Sequence, residues 1–171
     1  MEDEILMNAR KARELKIQKK LLEKIGMRGV SIDFNGNTIQ ISGNSALEVL
    51  LVKNAIIAFN RGFDASVATL LLDDDYDILV ISLRDYTNSD KRAAQLKGRV
   101  IGTRGIIKKR LMRETSCYIK VYGKTISIIG QIENLSIAES AVEMILNGAK
   151  HDSVFSMINK KKAEVYINGN R

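Results

Sequence analysis

A chain of 171 residues with 45% apolar and 27% charged residues has the composition of a folded protein of one or two small domains. No stretch approaches the ~20 uninterrupted apolar residues that a membrane helix requires. The N-terminal segment Met1-Glu2-Asp3-Glu4 is acidic, where a signal peptide would be basic. Together with a single cysteine, Cys117, these features predict a cytoplasmic protein and exclude a membrane partner.

The net charge of +7 is concentrated in one part of the chain. Residues 91–124 contain eleven Lys or Arg side chains and one acid, Glu114. A second basic cluster, at 10–28, contains eight Lys or Arg, whereas residues 47–90 contain eight acids against three basic residues. A local positive field attracts polyanions and neutralises phosphates, so the window at 91–124 favours nucleic acid over a set of solvated helix faces.

The first 72 residues predict a basic helix, a hairpin and two further helices. The basic helix is expected at about 17–25, and residues 1–8 are short for a complete strand before it. Apolar residues alternate with polar ones on both sides of Gly36, which predicts a β-hairpin. The next helix places apolar residues at helical spacing: Leu47, Leu51, Ala55 and Ala58. A final helix of this part is expected at 64–72, with Asp64 as its cap.

From residue 73 onward the patterns predict a longer series of elements. In chain order these are a strand at about 76–83, a short helix around Ala93, a loop at 102–105, a helix at 106–114, a hairpin at 117–128, a helix after Gly130 and a helix at about 153–165. The last helix is expected to bring Val154, Phe155 and Ile158 to one face.

The two parts contain the same hairpin. Residues 31–43 (SIDFNGNTIQISG) align without gaps with residues 118–130 (YIKVYGKTISIIG). Three isoleucines, one threonine and two glycines coincide, and in both copies a basic helix precedes the hairpin and an amphipathic helix follows it. This internal repeat predicts two copies of one structural unit.

The order strand, helix, Gly-x-x-Gly, helix, strand, strand, helix is that of a type I KH domain, and residues 99–109 (RVIGTRGIIKK) resemble the KH signature closely. The expected fold class is therefore α+β, with two type I KH-like units (β-α-α-β-β-α) whose three-stranded sheets pack on helices, plus a C-terminal helix. The expected domains are 1–72, a degenerate KH-like unit without Gly-x-x-Gly, and 73–171, a KH domain with that loop and the C-terminal helix.

The Gly-x-x-Gly loop is the expected RNA-binding site. Two glycines without side chains allow an RNA backbone to approach main-chain N–H groups, and the loop lies at a helix N-terminus, where the dipole favours an anion. The apolar floor under the bases is expected to consist of Ile101, Leu111, Ile119 and Val121. The candidate RNA-binding residues are Arg99, Ile101, Gly102, Thr103, Arg104, Gly105, Lys108, Lys109, Ile119 and Lys120.

The first unit departs from this pattern. No glycine occurs before Gly26, so its counterpart loop, expected around residues 13–16, cannot form a Gly-x-x-Gly clamp. We therefore expect this unit to bind RNA weakly.

Longer blocks extend the resemblance over essentially the whole chain. Residues 81–86 (ISLRDY), 116–130 and 147–162 resemble the archaeal two-KH ribosome-assembly protein, a relative of the eukaryotic pre-ribosomal KH proteins. Residues 54–78 resemble the inter-domain segment of that family. The resemblance implies a ribosome-assembly factor that binds single-stranded small-subunit rRNA near its 3′ end through the second KH domain. It also implies contacts with the α subunit of translation initiation factor two and with the Nob endonuclease.

No group of residues predicts catalysis, a cofactor or a metal. The single histidine, His151, has no cysteine or acidic partner at ligand spacing, and Asp73-Asp74-Asp75 lacks the glycine and closing glutamate of a calcium loop. Cys117 is expected to be a small buried residue. Tyr118 and Tyr122 lie on the other strand face, where we expect packing against a helix, with base stacking as the alternative. A binding protein is therefore expected rather than an enzyme.

A second class of function stays open at this point. The acidic segment at 47–90 and the glycine-free first unit also suit an adaptor that docks proteins, for example a translation initiation factor, with RNA binding secondary.

Overall fold

A computed structural model describes the backbone of residues 1–169 and the side chains of residues 1–164. The chain forms two compact units, the first ending at Ile78 and the second beginning at Leu79. The expected boundary between 72 and 73 stays a prediction, and the division at Ile78 falls within a strand, Tyr76–Ser82, that pairs in the sheet of the second unit. Among the helices in the described residues, none is both long and apolar enough to cross a membrane.

The first unit contains a three-stranded antiparallel sheet, in which the last strand of the chain order lies in the middle, and the helices that pack on it. Its elements are β1 (Glu2–Leu6), α1 (Ala9–Lys16), α2 (Lys19–Gly26), β2 (Val30–Asn35), β3 (Thr38–Gly43), α3 (Ala46–Asn60), α4 (Ala65–Ala68) and a 3-10 turn (Thr69–Leu72). The predicted β-α-α-β-β-α order is confirmed.

Two local expectations for this unit were wrong. Residues 2–6 form a complete strand, β1, which pairs with β3 along its whole length. The counterpart loop expected at 13–16 lies inside α1, because Asn8 caps that helix early by accepting a hydrogen bond from the Arg10 N–H. The turn between α1 and α2 is instead formed by Ile17 and Gln18, which still includes no glycine.

The face of α3 that packs on the sheet was largely predicted. Leu51, Ala55 and Ala58 are buried, but Leu47 is 51% exposed. Leu47 lies in the first turn of α3, two residues after the Ser45 cap.

The second unit repeats the same architecture, and the last of its three strands again lies in the middle of the sheet. Its elements are β4 (Tyr76–Ser82), a 3-10 turn (Leu83–Asp85), α5 (Asp90–Ile101), a 3-10 turn (Thr103–Gly105), α6 (Ile106–Thr115), β5 (Tyr118–Tyr122), β6 (Thr125–Gln131), α7 (Ile132–Leu146) and α8 (His151–Gly169). The predicted order is again confirmed, and Val154, Phe155 and Ile158 of α8 are buried in the core of this unit, as expected.

The two hairpins turn in the same way. In the first, strand pairing runs to Asn35 and Thr38, which leaves a two-residue turn beginning at Gly36 with a φ of 61°. The second turn begins at the equivalent residue, Gly123, with a φ of 56°. A left-handed φ at this position is accessible to glycine at low cost, which explains the glycine in both copies.

A second glycine of the repeat has a packing role. A Cβ added to Gly130 would lie 2.5 Å from the Sγ of Cys117 and 3.3 Å from its Cβ. Cys117 is buried as expected, so its sulfur occupies space in the core that no larger residue at 130 can share.

We predict that Gly130→Ala lowers the free energy of unfolding by about 2 kcal/mol, because the new methyl group overpacks the core against Cys117. Adding Cys117→Ala removes the sulfur and should recover part of that loss. Urea unfolding of the two single variants and the double variant measures the effect. If the losses of the two single variants simply add in the double variant, contact with the Cys117 side chain is not the reason why Gly130→Ala is destabilising.

Candidate nucleic-acid interface

The segment Gly102–Gly105 forms a sharp turn between α5 and α6. Gly102 has φ 71° and ψ 171°, a backbone conformation that is essentially restricted to glycine. The Gly105 N–H donates to the Gly102 carbonyl at 3.1 Å, and Arg104 itself adopts a left-handed conformation with φ 53°. The two residues between the glycines, Thr103 and Arg104, project outward and are exposed.

The two glycines of the loop are needed for different reasons. A Cβ on Gly102 would lie 2.4 Å from Cγ1 of Ile107 and 2.9 Å from its backbone nitrogen, so the first turn of α6 packs directly on Gly102. Gly105 has φ 76° and ψ 14°, but no atom lies within 4 Å of the Cβ position. Gly102 is therefore required by packing, whereas the space next to Gly105 is open to a ligand.

The N-terminus of α6 favours an anion. Gly105 is its N-cap and provides no side-chain hydrogen bond, and the first turn contains no acidic residue. The first N–H groups of a helix have no intrahelical acceptor, and the helix dipole adds positive potential there. Lys108 and Lys109 follow within the same turn, and Arg104 precedes it. Among the described residues, these three cations form no ion pair.

Other cations of the basic window are partly neutralised by neighbouring acids. Lys124 forms an ion pair with Asp90, and its hydrogen bond is the main reason why the pKa of Asp90 lies below its usual value. Arg113 is paired with Glu114 at 2.8 Å, and its hydrogen bond lowers the pKa of that carboxyl in the same way. The other nine cations of this window, which include Arg104, Lys108 and Lys109 at the loop, form no ion pair among the described residues.

The candidate residues differ in their exposure. Thr103, Arg104 and Lys109 are exposed; Arg99, Ile101, Gly102, Gly105, Lys108 and Lys120 are half-buried; Ile119 is buried. The side chain of Ile119 is only 2% exposed, and Leu111 is fully buried, so both support the groove from the core and present no surface to a base. Of the expected apolar floor, Ile101 and Val121 remain half-buried and accessible.

Arg99 is held by the protein itself. Its guanidinium Nη2 donates to the Ala149 carbonyl at 2.6 Å, and the Nε2 of His151 donates to the Arg99 carbonyl at 3.1 Å. A carbonyl oxygen accepts but cannot donate, so this contact requires the proton on Nε2. These two bonds tie the last turn of α5 to the start of α8 and position the loop that follows.

Two further contacts organise this region, and the sequence patterns did not indicate them. The guanidinium of Arg110 lies over the ring of Phe155, 3.7 Å from its centre, so α8 also supports α6. The Nζ of Lys97 donates to the Gly123 carbonyl at 3.2 Å and links α5 with the hairpin turn. Each contact joins residues far apart in the chain, and only local patterns are visible in a sequence.

The expectation for the tyrosines was wrong. Tyr118 and Tyr122 are 40% and 47% exposed, so no helix covers them in the described part of the chain. Cys117, by contrast, is buried as expected, and burial raises the pKa of its thiol, which keeps it protonated and unreactive.

The fold and the loop together define a type I KH domain. The family model described as the eukaryotic type KH-domain, KH-domain type I, matches residues 78–163. The chain belongs to this family.

Individual relatives are archaeal. The chain is 35% identical to the KH domain-containing protein MJ0443 of Methanocaldococcus jannaschii over 86% of its own length, and it spans 66% of that protein. Its structure is similar to that of APE0754 from Aeropyrum pernix, a protein of unknown function, with a TM-score of 0.92 and 20% identity over 99% of this chain and 95% of that one.

A further similar structure is that of Dim2p from Pyrococcus horikoshii in a complex with the α subunit of a/eIF2 and rRNA. The TM-score is 0.83 and the identity is 25%, over 96% of this chain and 95% of that one. Another crystal structure of Dim2p from the same organism gives a TM-score of 0.82 at 24% identity over 94% and 99% of the two chains.

We predict that Gly102→Ala and Gly105→Ala differ strongly in stability. Gly102→Ala introduces both a clash with Ile107 and a forbidden backbone conformation, and should cost about 3 kcal/mol or more. Gly105→Ala only places an alanine in the left-handed backbone conformation, which should lower the free energy of unfolding by about 1 kcal/mol. Equilibrium unfolding in urea measures both values. Equal losses would show that Ile107 does not press on the first glycine.

Proposed function

We propose that this protein binds single-stranded RNA through the Gly102–Gly105 loop of its second unit. The observation that supports this most strongly is the helix N-terminus at Gly105, which has no side-chain cap, no acidic neighbour and open space for a phosphate. Arg104, Lys108 and Lys109 lie within four residues of Gly105 and form no ion pair among the described residues. A phosphate at this point would accept hydrogen bonds from main-chain N–H groups. KH loops clamp the RNA backbone in this way.

The proposed RNA is small-subunit rRNA near its 3′ end, and the proposed role is in assembly of the small ribosomal subunit. Two facts support this target: the blocks of residues that resemble the archaeal ribosome-assembly protein, and the similarity to Dim2p, whose crystal structure includes rRNA. In this proposal the protein acts by binding rRNA and does not catalyse a reaction.

The α subunit of translation initiation factor two is the proposed protein partner, since that subunit is also in the Dim2p complex. A contact with the Nob endonuclease follows from the family resemblance alone and stays a prediction.

The first unit supports a docking role better than an RNA-clamping one. Its α1–α2 turn carries side chains where a clamp needs glycines, and one of them, Ile17, is 73% exposed. Beside this turn lies a groove of about 770 Å³ that is lined mainly by apolar groups, including Ile17 and Leu70, with Lys19, Lys20 and Lys24 among its lining residues. The adaptor function is therefore the second candidate, with this groove as its site.

We predict that replacing Thr103 and Arg104 by aspartate weakens RNA binding at least about tenfold at ~0.1 M salt, because two acids would face the phosphate. The matched control is Ser156→Asp with Lys160→Asp, an equal change of charge at two exposed residues of α8. Fluorescence anisotropy with a labelled single-stranded RNA compares both variants with the wild type. If the control loses as much affinity as the loop variant, only overall charge matters and the clamp is refuted.

A separate prediction concerns the groove of the first unit. Replacing Lys19, Lys20 and Lys24 by glutamine should change RNA affinity by less than about threefold, because exposed charges without a backbone clamp contribute little at this ionic strength. The same titration measures this. A loss as large as that of the loop variant would make the first unit a second RNA site. Weaker binding of the initiation factor α subunit by this variant would support the adaptor function.

A further inference from the structure

A recess of about 600 Å³ opens beside the Gly-x-x-Gly loop within the second unit. Gly98 and Gly102 provide a part of its wall without side chains, and Ile106 and Ile107 provide an apolar part. The polar residues include Gln95 of α5 and His151, the first residue of α8. This helix lies outside the six-element repeat, so the recess combines the loop with an element that only this unit has.

The recess has the chemical character of a site for a nucleobase. Two glycines without side chains and an exposed isoleucine, Ile106 at 59%, leave room and apolar surface for the face of a planar ring. A few polar groups at fixed positions then determine which ring is accepted. Thr103 of the loop also lines the recess, so a nucleotide whose phosphate lies at the loop is within reach of it.

The orientation of His151 is determined by its hydrogen bond to the Arg99 carbonyl at 3.1 Å. Because that oxygen can only accept, Nε2 carries the proton, and Nδ1 of the neutral ring is an acceptor. Among the described residues, no hydrogen bond involves Nδ1. Arg99 is held in turn by its bond to Ala149, so the ring is supported by a fixed carbonyl.

We propose that His151 reads an RNA base in this recess, with Nδ1 accepting a hydrogen bond from the exocyclic amino group of adenine or cytosine. The proposal rests on the proposed RNA binding and adds to it a residue that selects the base. Thr103 and Arg104 hold phosphate and carry no sequence information, whereas a fixed acceptor distinguishes amino-bearing bases from those that present an oxygen at the same place.

A double-mutant cycle between protein and RNA tests the proposal. Wild type and His151→Ala are each titrated with 12-nucleotide oligoadenylate and with a 12-mer of purine riboside, which lacks the amino group. A second arm uses oligocytidylate and its counterpart without the 4-amino group. In at least one arm, the preference for the amino-bearing RNA should fall about fivefold in the variant, which corresponds to one hydrogen bond.

The comparison separates base reading from mere support of the loop. Phe155→Leu removes the ring on which Arg110 lies, a contact between α8 and α6, but leaves His151 and Arg99 in place, so it should weaken amino-bearing and amino-free RNAs by the same factor. If His151→Ala also acts equally on both RNAs in both arms, within about twofold, the proposal is overturned. Failure of the proposed function is distinguishable, since the wild type would then bind none of the four RNAs.

Discussion

The close approach of α6 to Gly102 is the constraint on which the rest of the site depends. Ile107 packs so tightly on the backbone of Gly102 that no side chain fits between them. The chain must therefore turn within four residues, and Thr103 and Arg104 are turned out to the solvent. The same turn leaves the N-terminus of α6 without a side-chain cap at Gly105, so a packing requirement inside the protein leaves helix N–H groups open to a ligand on its surface.

α8 contacts both of the helices that flank this turn. It contacts α5 through His151 and Arg99, and it contacts α6 through Phe155, on which Arg110 lies. The buried residues of α8 fix the helix to the core of the second unit. A loop that binds a flexible polymer gains affinity when it is already in its bound conformation, because less conformational freedom is then lost on binding. The extra helix thus supports the loop as well as the core.

The two units show how one architecture can serve different purposes. Both have the same sheet order and the same glycine turn in the hairpin, which are set by backbone pairing. They differ between the first two helices, where the first unit has Ile17 and Gln18 and the second has a glycine-framed loop. The surface at this turn therefore suits an apolar side chain in the first unit and a phosphate in the second.

The sequence by itself determined the element order, the hairpin repeat and the position of the loop, because alternation, helical spacing and turn glycines are local properties of the chain. The complete first strand and the early start of α1 were missed, since pairing with β3 and a single Asn8 cap leave only weak local signals. Only the tertiary structure decided that Ile119 is buried, that the strand tyrosines are exposed and that Arg99 and His151 meet across 52 residues. Burial and long-range hydrogen bonds depend on which distant segments come together, and no local pattern contains that information.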